Sequence, residues 1–182
     1  MNETKNSLKI TVALAMLAAI SIVCGKYLAI RGGDVMRFSL ENMPIILAGM
    51  AFGPLAGVAV GVVADLVGCL MVAYTVNPIV TLGAAAIGAL SGVVPYLLKK
   101  LKLPKLAVTV ITVAAAHLIG SVLIKTAGLA AYYDMPYGIL LLWRLLNYAI
   151  VGALDGAIVH LLLKNRGIRI LLDRLRGDKN DL

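Results

Sequence analysis

The chain has 182 residues and a formal net charge of +8; 61% of its residues are hydrophobic, only 14% are charged, and its mean hydropathy is +0.95. This composition leaves too little polar surface to cover a soluble globule, so it predicts an integral membrane protein of the cell membrane. Apolar runs near about 20 residues suit helices that cross about 30 Å of hydrocarbon, and the alternating strands typical of a barrel are absent from the sequence. We therefore expect an all-α fold with a single membrane domain over residues 1–182.

Six apolar segments are predicted to cross the membrane, at about residues 8–30, 38–52, 54–74, 78–98, 106–129 and 137–163. The second is short, about 22 Å at 1.5 Å per residue, so its length alone also allows a segment that enters and leaves on one side. Six crossings put 12 basic residues on the side of the termini and 5 on the other. The positive-inside rule then makes both termini cytoplasmic. Anionic lipid and topology explain this charge, and no nucleic-acid partner is expected.

The first predicted helix carries a smooth face of small residues. Ala15 and Ala19 lie four residues apart, with Ala18 beside them. Small residues at this spacing let another helix backbone approach closely. The face therefore either packs inside the chain's own bundle or docks a helix of another protein.

The segment after this helix is predicted to be a loop on the outer side. It carries Lys26 and Arg37 around the adjacent glycines Gly32 and Gly33. Positive charge on this side runs against the topological bias. The loop is therefore either a site for an anionic ligand or an ordinary solvated loop, and two adjacent glycines would also suit a gate.

Polar residues mark the third and fourth predicted helices. Asp65 shares one helical face with Gly57 and Gly61 at four-residue spacing. A carboxylate near mid-membrane is costly unless it is paired or hydrated, so it should face the interior, as a structural acceptor for a helix end or as part of a ligand or ion site. Asn77 and Pro78 form a natural helix start, whose N–H groups can also receive an anion or the acceptors of a heterocycle.

The fifth predicted helix places His117, Ser121 and Lys125 four residues apart on one face. Lys125 lies near the outer end, and we expect its side chain to extend outward to the membrane surface. His117 is interpreted as a satisfied interior group rather than a titrating relay.

The sixth predicted helix has an inward stripe that includes Arg144, Asn147 and Asp155, with Trp143 beside it. Arg144 lies about 10 Å below the outer start of the helix, where it needs an anionic partner. A salt bridge to Asp65 would be structural. Capture of a substrate carboxylate is the functional alternative, and it is slightly favoured because arginine binds carboxylates bidentately.

The sequence predicts no catalytic residues, no cofactor and no metal site. It contains no G-x-x-x-x-G-K-[ST] motif, so any coupling to ATP needs partner subunits. Ser91 resembles the serine of an intramembrane protease only weakly, because Ala89 replaces the expected glycine two residues earlier. Cys24 and Cys69 are interpreted as apolar fillers rather than a disulfide or metal pair.

Four segments closely resemble the substrate-binding S component of energy-coupling factor (ECF) vitamin transporters, and within it the folate-specific group. They are LAMLAAI, the run MRFSLENMPIILAGMAFGPLAGVAVGVVADLVG, NPIVTLGAAAIGALSG and WRLLN. Within the second, R-x-x-x-x-x-x-P-I-x-L-A-G-x-x-x-G-P-x-x-G and A-D-x-x-G are specific to S components. The resemblance covers about residues 8–164. It implies six helices with cytoplasmic termini, ligand capture outside, docking on a transmembrane coupling subunit driven by two cytoplasmic ATPases, and release by reorientation in the lipid bilayer.

The resemblance also implies roles for individual residues. Ala15 and Ala19 match the family's A-x-x-x-A contact with the coupling subunit, and the ligand would lie in an outer pocket under the first, third and fifth loops. Folate carboxylates need cations, and the pterin ring needs flat walls and amide edges. The candidates are Lys26, Arg37 and Arg144 for the carboxylates, and Asn77, Trp143, Asn147 and Tyr148 for the ring.

Two rival interpretations remain at this stage. One is an S component for another vitamin or vitamin precursor, such as a thiamine precursor or a deazaguanine. The other is a self-sufficient channel or proton-coupled carrier that uses Asp65 and His117.

Overall fold

The computed structural model describes residues 2–32 and 36–176, with side chains for residues 7–30, 38–132 and 134–175. Helices make up most of this part of the chain. In order, the elements are α1 (Asn2–Ile22), a π-helical segment (Val23–Tyr27), β1 (Ile30–Gly32), β2 (Met36–Phe38), α2 (Asn42–Phe52), α3 (Pro54–Met71), α4 (Pro78–Leu98), a 3-10 turn (Lys99–Leu101), α5 (Lys105–Ala116), a second π-helical segment (His117–Ile124), α6 (Lys125–Tyr133), α7 (Tyr137–Lys164) and α8 (Arg166–Arg176).

Five of the described helical stretches are long and apolar enough to cross a membrane. They are Ser7–Tyr27, Pro54–Met71, Pro78–Leu101, Lys105–Tyr132 and Tyr137–Lys164. Many of their large apolar side chains are exposed, which suits helices whose outer faces meet lipid rather than water. The predicted all-helical membrane fold is confirmed, with the addition of two strands of three residues each.

The segment 38–52, predicted as one short span, divides into two parts. Residues 36–38 form β2, which pairs antiparallel with β1 so that Ile30 lies opposite Phe38. The helix itself is α2, whose 11 residues reach about 16 Å at 1.5 Å per residue. The small β hairpin was not predicted, because it lies in a loop with two adjacent glycines and lacks the alternating pattern of a longer strand.

The junction between α2 and α3 depends on one glycine. Gly53 has φ of 96°, a backbone conformation that other residues adopt only with strain, and Pro54 follows at the first position of α3. The turn therefore reverses the chain in a single residue, and α2 and α3 pack side by side.

The core of the bundle is a close contact of α2, α3 and α4 through glycine. A Cβ atom added to Gly88 in α4 would collide with the backbone carbonyl of Gly57 in α3, and one added to Gly49 in α2 would lie 2.7 Å from the Gly88 oxygen. Fully buried apolar side chains such as Ile46 and Ile87 fill the space around this contact. The four-residue glycine spacing seen in the sequence is thus a helix-packing device.

The C-terminal end adds an amphipathic helix that was not predicted. α8 begins after Asn165, whose side-chain oxygen accepts hydrogen bonds from the N–H groups of Gly167 (2.9 Å) and Ile168 (3.3 Å). Its arginines and its apolar residues, among them the exposed Ile170 and Leu171, suit a helix that lies along a membrane surface.

Substitution of Gly88 by alanine should destabilise the protein. The added methyl group meets the Gly57 backbone rather than a flexible side chain, so we expect a loss of about 1–3 kcal/mol of unfolding free energy. Thermal unfolding of the purified protein in detergent measures the effect. Gly138→Ala is the matched control, because a Cβ at Gly138 meets no atom within 4 Å. Equal stability of the two variants would contradict this packing.

Candidate ligand-binding site

A chain of buried polar side chains runs through the bundle from α6 to α7. Lys125 Nζ donates to Asn42 Oδ1 (3.4 Å), Asn42 Nδ2 donates to Ser121 Oγ (3.3 Å), and Ser121 Oγ lies 3.3 Å from His117 Nδ1. His117 Nε2 lies 3.0 Å from Asp155 Oδ2. The two ring nitrogens of His117 have different partners, Ser121 at Nδ1 and Asp155 at Nε2, and a proton on Nε2 alone would let every group donate to the next.

The polar chain begins at an ion pair between Lys125 and Glu41. Lys125 Nζ lies 3.2 Å from Glu41 Oε1, and the lysine side chain is only 6% exposed. The backbone oxygen of Glu41 also accepts a short hydrogen bond of 2.6 Å from Ser21 Oγ in α1. The expectation that Lys125 extends outward to the surface was wrong, because a carboxylate from the start of α2 offers it a partner inside the bundle.

Arg144 lies half-buried beside this chain and has no carboxylate partner among the described residues. One of its terminal nitrogens donates to the Ser121 carbonyl (2.9 Å) and to the Tyr148 hydroxyl (3.4 Å), and its guanidinium stacks over the Tyr148 ring at 5.2 Å. Its buried Nε has no hydrogen-bond partner. The structural alternative, a salt bridge to Asp65, is not formed.

Asp65 instead serves the start of α4, which was one of its two predicted roles. Its Oδ2 accepts a 2.6 Å hydrogen bond from Thr81 Oγ1. Asn77 caps the same helix, because its Oδ1 accepts from the N–H groups of Ile79 and Val80, while its Nδ2 donates to the carbonyl of Gly128 (2.8 Å). Both amide atoms of Asn77 are therefore engaged within the protein.

The remaining predicted ligand contacts are spread around this region. Lys26 Nζ lies 3.8 Å from Cys69 Sγ and 5.8 Å from the centre of the Tyr74 ring. Asn147 is buried, whereas Trp143 is 43% exposed. Arg37 belongs to β2, and its side chain lies outside the described residues.

The structure brings together Arg144 and Tyr148, and Tyr148 in turn stacks on the His117 ring with centroids 5.1 Å apart. A separate cavity of about 20 Å³ touches Lys26, Asp65 and Lys125 but not Arg144 or Tyr148. This volume holds about one water molecule, so a ligand of vitamin size does not fit between these three side chains as they stand.

Sequence reasoning missed Glu41, Asn42 and Asp155 as partners in the polar chain. The available signal was the four-residue spacing of His117, Ser121 and Lys125, which places three polar groups on one face that membrane burial obliges the bundle to satisfy. That spacing shows that partners are needed but does not show which helices supply them.

The chain resembles known proteins both in sequence and in fold. The model of the ECF-type riboflavin transporter S component family matches residues 5–167. The chain belongs to this family. It is therefore a multi-pass integral membrane protein and the substrate-binding subunit of a transporter for a vitamin, with membrane-embedded transporter partners. A search of curated protein sequences gives no match.

Three solved structures of S components share the fold. An S component of a bacterial ECF transporter has a TM-score of 0.67 and 22% identity, over 91% of this chain and 98% of that chain. FolT bound with folic acid has a TM-score of 0.66 and 20% identity, over 84% of this chain and 90% of that chain. The S component for biotin has a TM-score of 0.66 and 22% identity, over 93% of this chain and 97% of that chain.

The Glu41–Lys125 pair should show energetic coupling in a double-mutant cycle. Because each side chain compensates the other's charge, Lys125→Met and Glu41→Gln should together destabilise the S component by less than the sum of the single changes, with a coupling free energy of about 0.5–3 kcal/mol. Unfolding in detergent measures it. Lys105→Met, at an exposed lysine, is the control and should combine additively with Glu41→Gln. Additivity in both cycles would show that the ion pair contributes nothing.

Proposed function

We propose that this S component captures folate outside the cell and delivers it inward after docking on a transmembrane coupling subunit that two cytoplasmic ATPases drive. The observation that carries the proposal is Arg144, a half-buried cation with an unpartnered buried Nε and no carboxylate partner in the described part of the chain. A buried guanidinium favours an anion that can accept two parallel N–H bonds, and a carboxylate has that geometry.

The neighbours of Arg144 suit the rest of a folate molecule. Tyr148 presents a flat ring beside the guanidinium, and Trp143 is exposed one residue earlier in α7. Aromatic walls of this kind stack well on a planar heterocycle such as a pterin. Asn147 offers an amide that can both donate to and accept from the edge of such a ring. Lys26, Arg37 and Asn77 are further candidates for the same outer pocket.

Riboflavin is the second candidate, because the family that matches the chain is described by that vitamin. Riboflavin has a flat ring but no carboxylate, so it leaves Arg144 without an anionic partner. Biotin has a carboxylate but lacks an extended aromatic ring. Of these three vitamins, only folate uses both the cation and the aromatic side chains, which is why we favour it.

The proposed mode of action requires a defined orientation. We propose six crossings with both termini in the cytoplasm, α2 being the short second crossing. This arrangement puts the lysine cluster at residues 99–105 on the cytoplasmic side, in line with the positive-inside rule. The β hairpin and the starts of α2, α4 and α7 then lie at the outer end, near Arg144.

Arg144→Gln should weaken folate binding by about tenfold or more, because a hydrogen bond to a charged partner contributes about 1.5–3 kcal/mol. Thermal shift or calorimetry on the purified protein, with folate, riboflavin and biotin, measures affinity and selectivity. Folate whose two glutamyl carboxylates are amidated offers Arg144 no anion. The variant and the wild type should therefore bind this analogue equally weakly.

Arg169→Gln is the matched control, because Arg169 lies exposed on α8, and it should bind folate like the wild type. Unchanged folate affinity in Arg144→Gln would remove this residue from the site. If riboflavin stabilises the wild type more strongly than folate does, riboflavin rather than folate is the substrate.

The docking surface for the coupling subunit is proposed to be the exposed face of α1. Ala15 and Ala19 are both exposed, whereas Ala18 between them is 4% exposed and packs in the core. The two alanines thus lie on the side of α1 that the chain's own bundle leaves open. A small-residue face at this spacing allows close approach of a partner helix.

Ala15→Leu with Ala19→Leu should abolish co-purification of a coexpressed coupling subunit while folate binding stays at the wild-type level, because the added side chains block only the docking face. Ala127→Leu, at an exposed alanine of α6, is the control and should keep the complex. A complex that survives the α1 changes would contradict docking there. Folate uptake by vesicles that contain this chain alone would instead indicate a self-sufficient carrier.

A further inference from the structure

An apolar groove lies between α7 on one side and α5 with the following π-helical segment (His117–Ile124) on the other. Its volume is about 610 Å³, far larger than the space beside Lys125. We call it the α5–α7 groove and define it by six of its lining residues, Leu106, Val113, His117, Tyr148, Gly152 and Ala153. One end of the groove reaches Tyr148, whose ring lies under the Arg144 guanidinium, so the groove adjoins the proposed folate site there and extends away from it along α7 to Ala157.

The groove exists because the facing side of α7 is made of small residues. Ala149, Gly152, Ala153, Gly156 and Ala157 all line it, so between residues 149 and 157 the α7 residues that line the groove are too small to fill the space towards α5, and the larger Leu145 and Tyr148 line only its other end. Ala149, Ala153 and Ala157 are exposed, as is Ala114 on the α5 side. The groove is therefore open on the side of the bundle that faces the bilayer.

The floor of the groove meets the buried polar chain. His117 lines the groove, and a Cβ added to Gly152 would lie 3.3 Å from His117 Cδ2. Behind it, His117 Nε2 contacts the fully buried Asp155. An apolar occupant would keep water away from this pair, where low polarity strengthens the hydrogen bond.

One end of the groove lies at a basic membrane edge. Leu106, which lines it, is the second residue of α5, and the candidate span begins one residue earlier at Lys105. Lys102 and Lys105 are exposed and form no ion pair within the described residues. Lys164, the last residue of the antiparallel neighbour α7, is exposed as well. A molecule with an apolar tail and an anionic head matches this combination.

We propose that the α5–α7 groove is a binding site for an anionic phospholipid. One acyl chain occupies the groove, and the phosphate headgroup lies against Lys102 and Lys105. The preference for an anionic over a zwitterionic lipid comes from the unpaired lysines, each of which contributes about five-fold in affinity near a membrane surface. The groove fixes the position of the lipid, since its apolar lining ends at Leu106, next to Lys105 and close to Lys102 in the chain.

Native mass spectrometry of the full chain tests the proposal, after incubation with equal amounts of phosphatidylglycerol and phosphatidylcholine that carry the same acyl chains. The wild type should retain phosphatidylglycerol at least about five-fold more than phosphatidylcholine. The double variant Lys102→Gln, Lys105→Gln should lose this preference. Both lysines are exposed and unpaired in the described structure, so their replacement leaves the packing intact.

Ala153→Phe fills the groove and should release the retained lipid, whereas Ala59→Phe, at an exposed alanine of α3 outside the groove, should keep it. Equal retention of both lipids by the wild type, or lipid retention unchanged in Ala153→Phe, would overturn the proposal. The proposal would also be overturned if the groove binds a protein instead of a lipid. Ala153→Phe would then leave lipid binding unchanged and would disrupt a complex with the coupling subunit or with a second copy of the chain. If Ala153→Phe does not fold, the lysine variant still decides the outcome.

Discussion

The absence of water from the hydrocarbon core is the constraint on which this structure depends. A polar group placed there must find its partner inside the bundle. Lys125, Asn42, Ser121, His117 and Asp155 meet this requirement as one hydrogen-bonded chain that joins α2, α6, α7 and the π-helical segment. The helices are therefore held in register by polar contacts as well as by packing, and the segment that leads from the β hairpin is tied to α6 through Glu41.

The same constraint distinguishes the charges that the chain itself pairs from the one that we propose for the ligand. The carboxylates Glu41, Asp65 and Asp155 each have a partner supplied by the chain, respectively a lysine, a threonine and a histidine. Arg144 has neutral acceptors and an unpartnered Nε. A cation with no carboxylate partner in the described part of the chain is costly to stability in this setting, and the proposed anionic ligand would remove that cost. The physical argument for the proposed carboxylate capture is this imbalance rather than the shape of a cavity, since Arg144 lines neither of the two cavities described above.

Glycine has two separate uses in this S component. In α2, α3 and α4, glycines such as Gly57 and Gly88 bring backbones into contact and form a rigid core. In α7, Gly152 and Gly156 line a groove of about 610 Å³, where a Cβ at Gly152 would lie 3.3 Å from the His117 ring and one at Gly156 would lie 3.9 Å from Val113. The spacing in the sequence is the same, and the difference is that these two glycines face side chains rather than the backbone of the neighbouring helix. The rigid core suits the reorientation proposed above, and the open face suits contact with lipid.

The sequence by itself determined the membrane class, the nearly all-helical fold and the family, because apolar run length and the motifs of residues 37–57 and 64–68 are local properties. It also placed His117, Ser121 and Lys125 on one face, since helical periodicity is fixed by spacing. Only the tertiary structure decided the partners. Lys125 turned inward because Glu41 and Asn42, more than 80 positions away, lie within reach. Asp65 bonds Thr81 rather than Arg144 for the same reason: which helix ends meet depends on how the whole bundle packs, and no short stretch of residues encodes that.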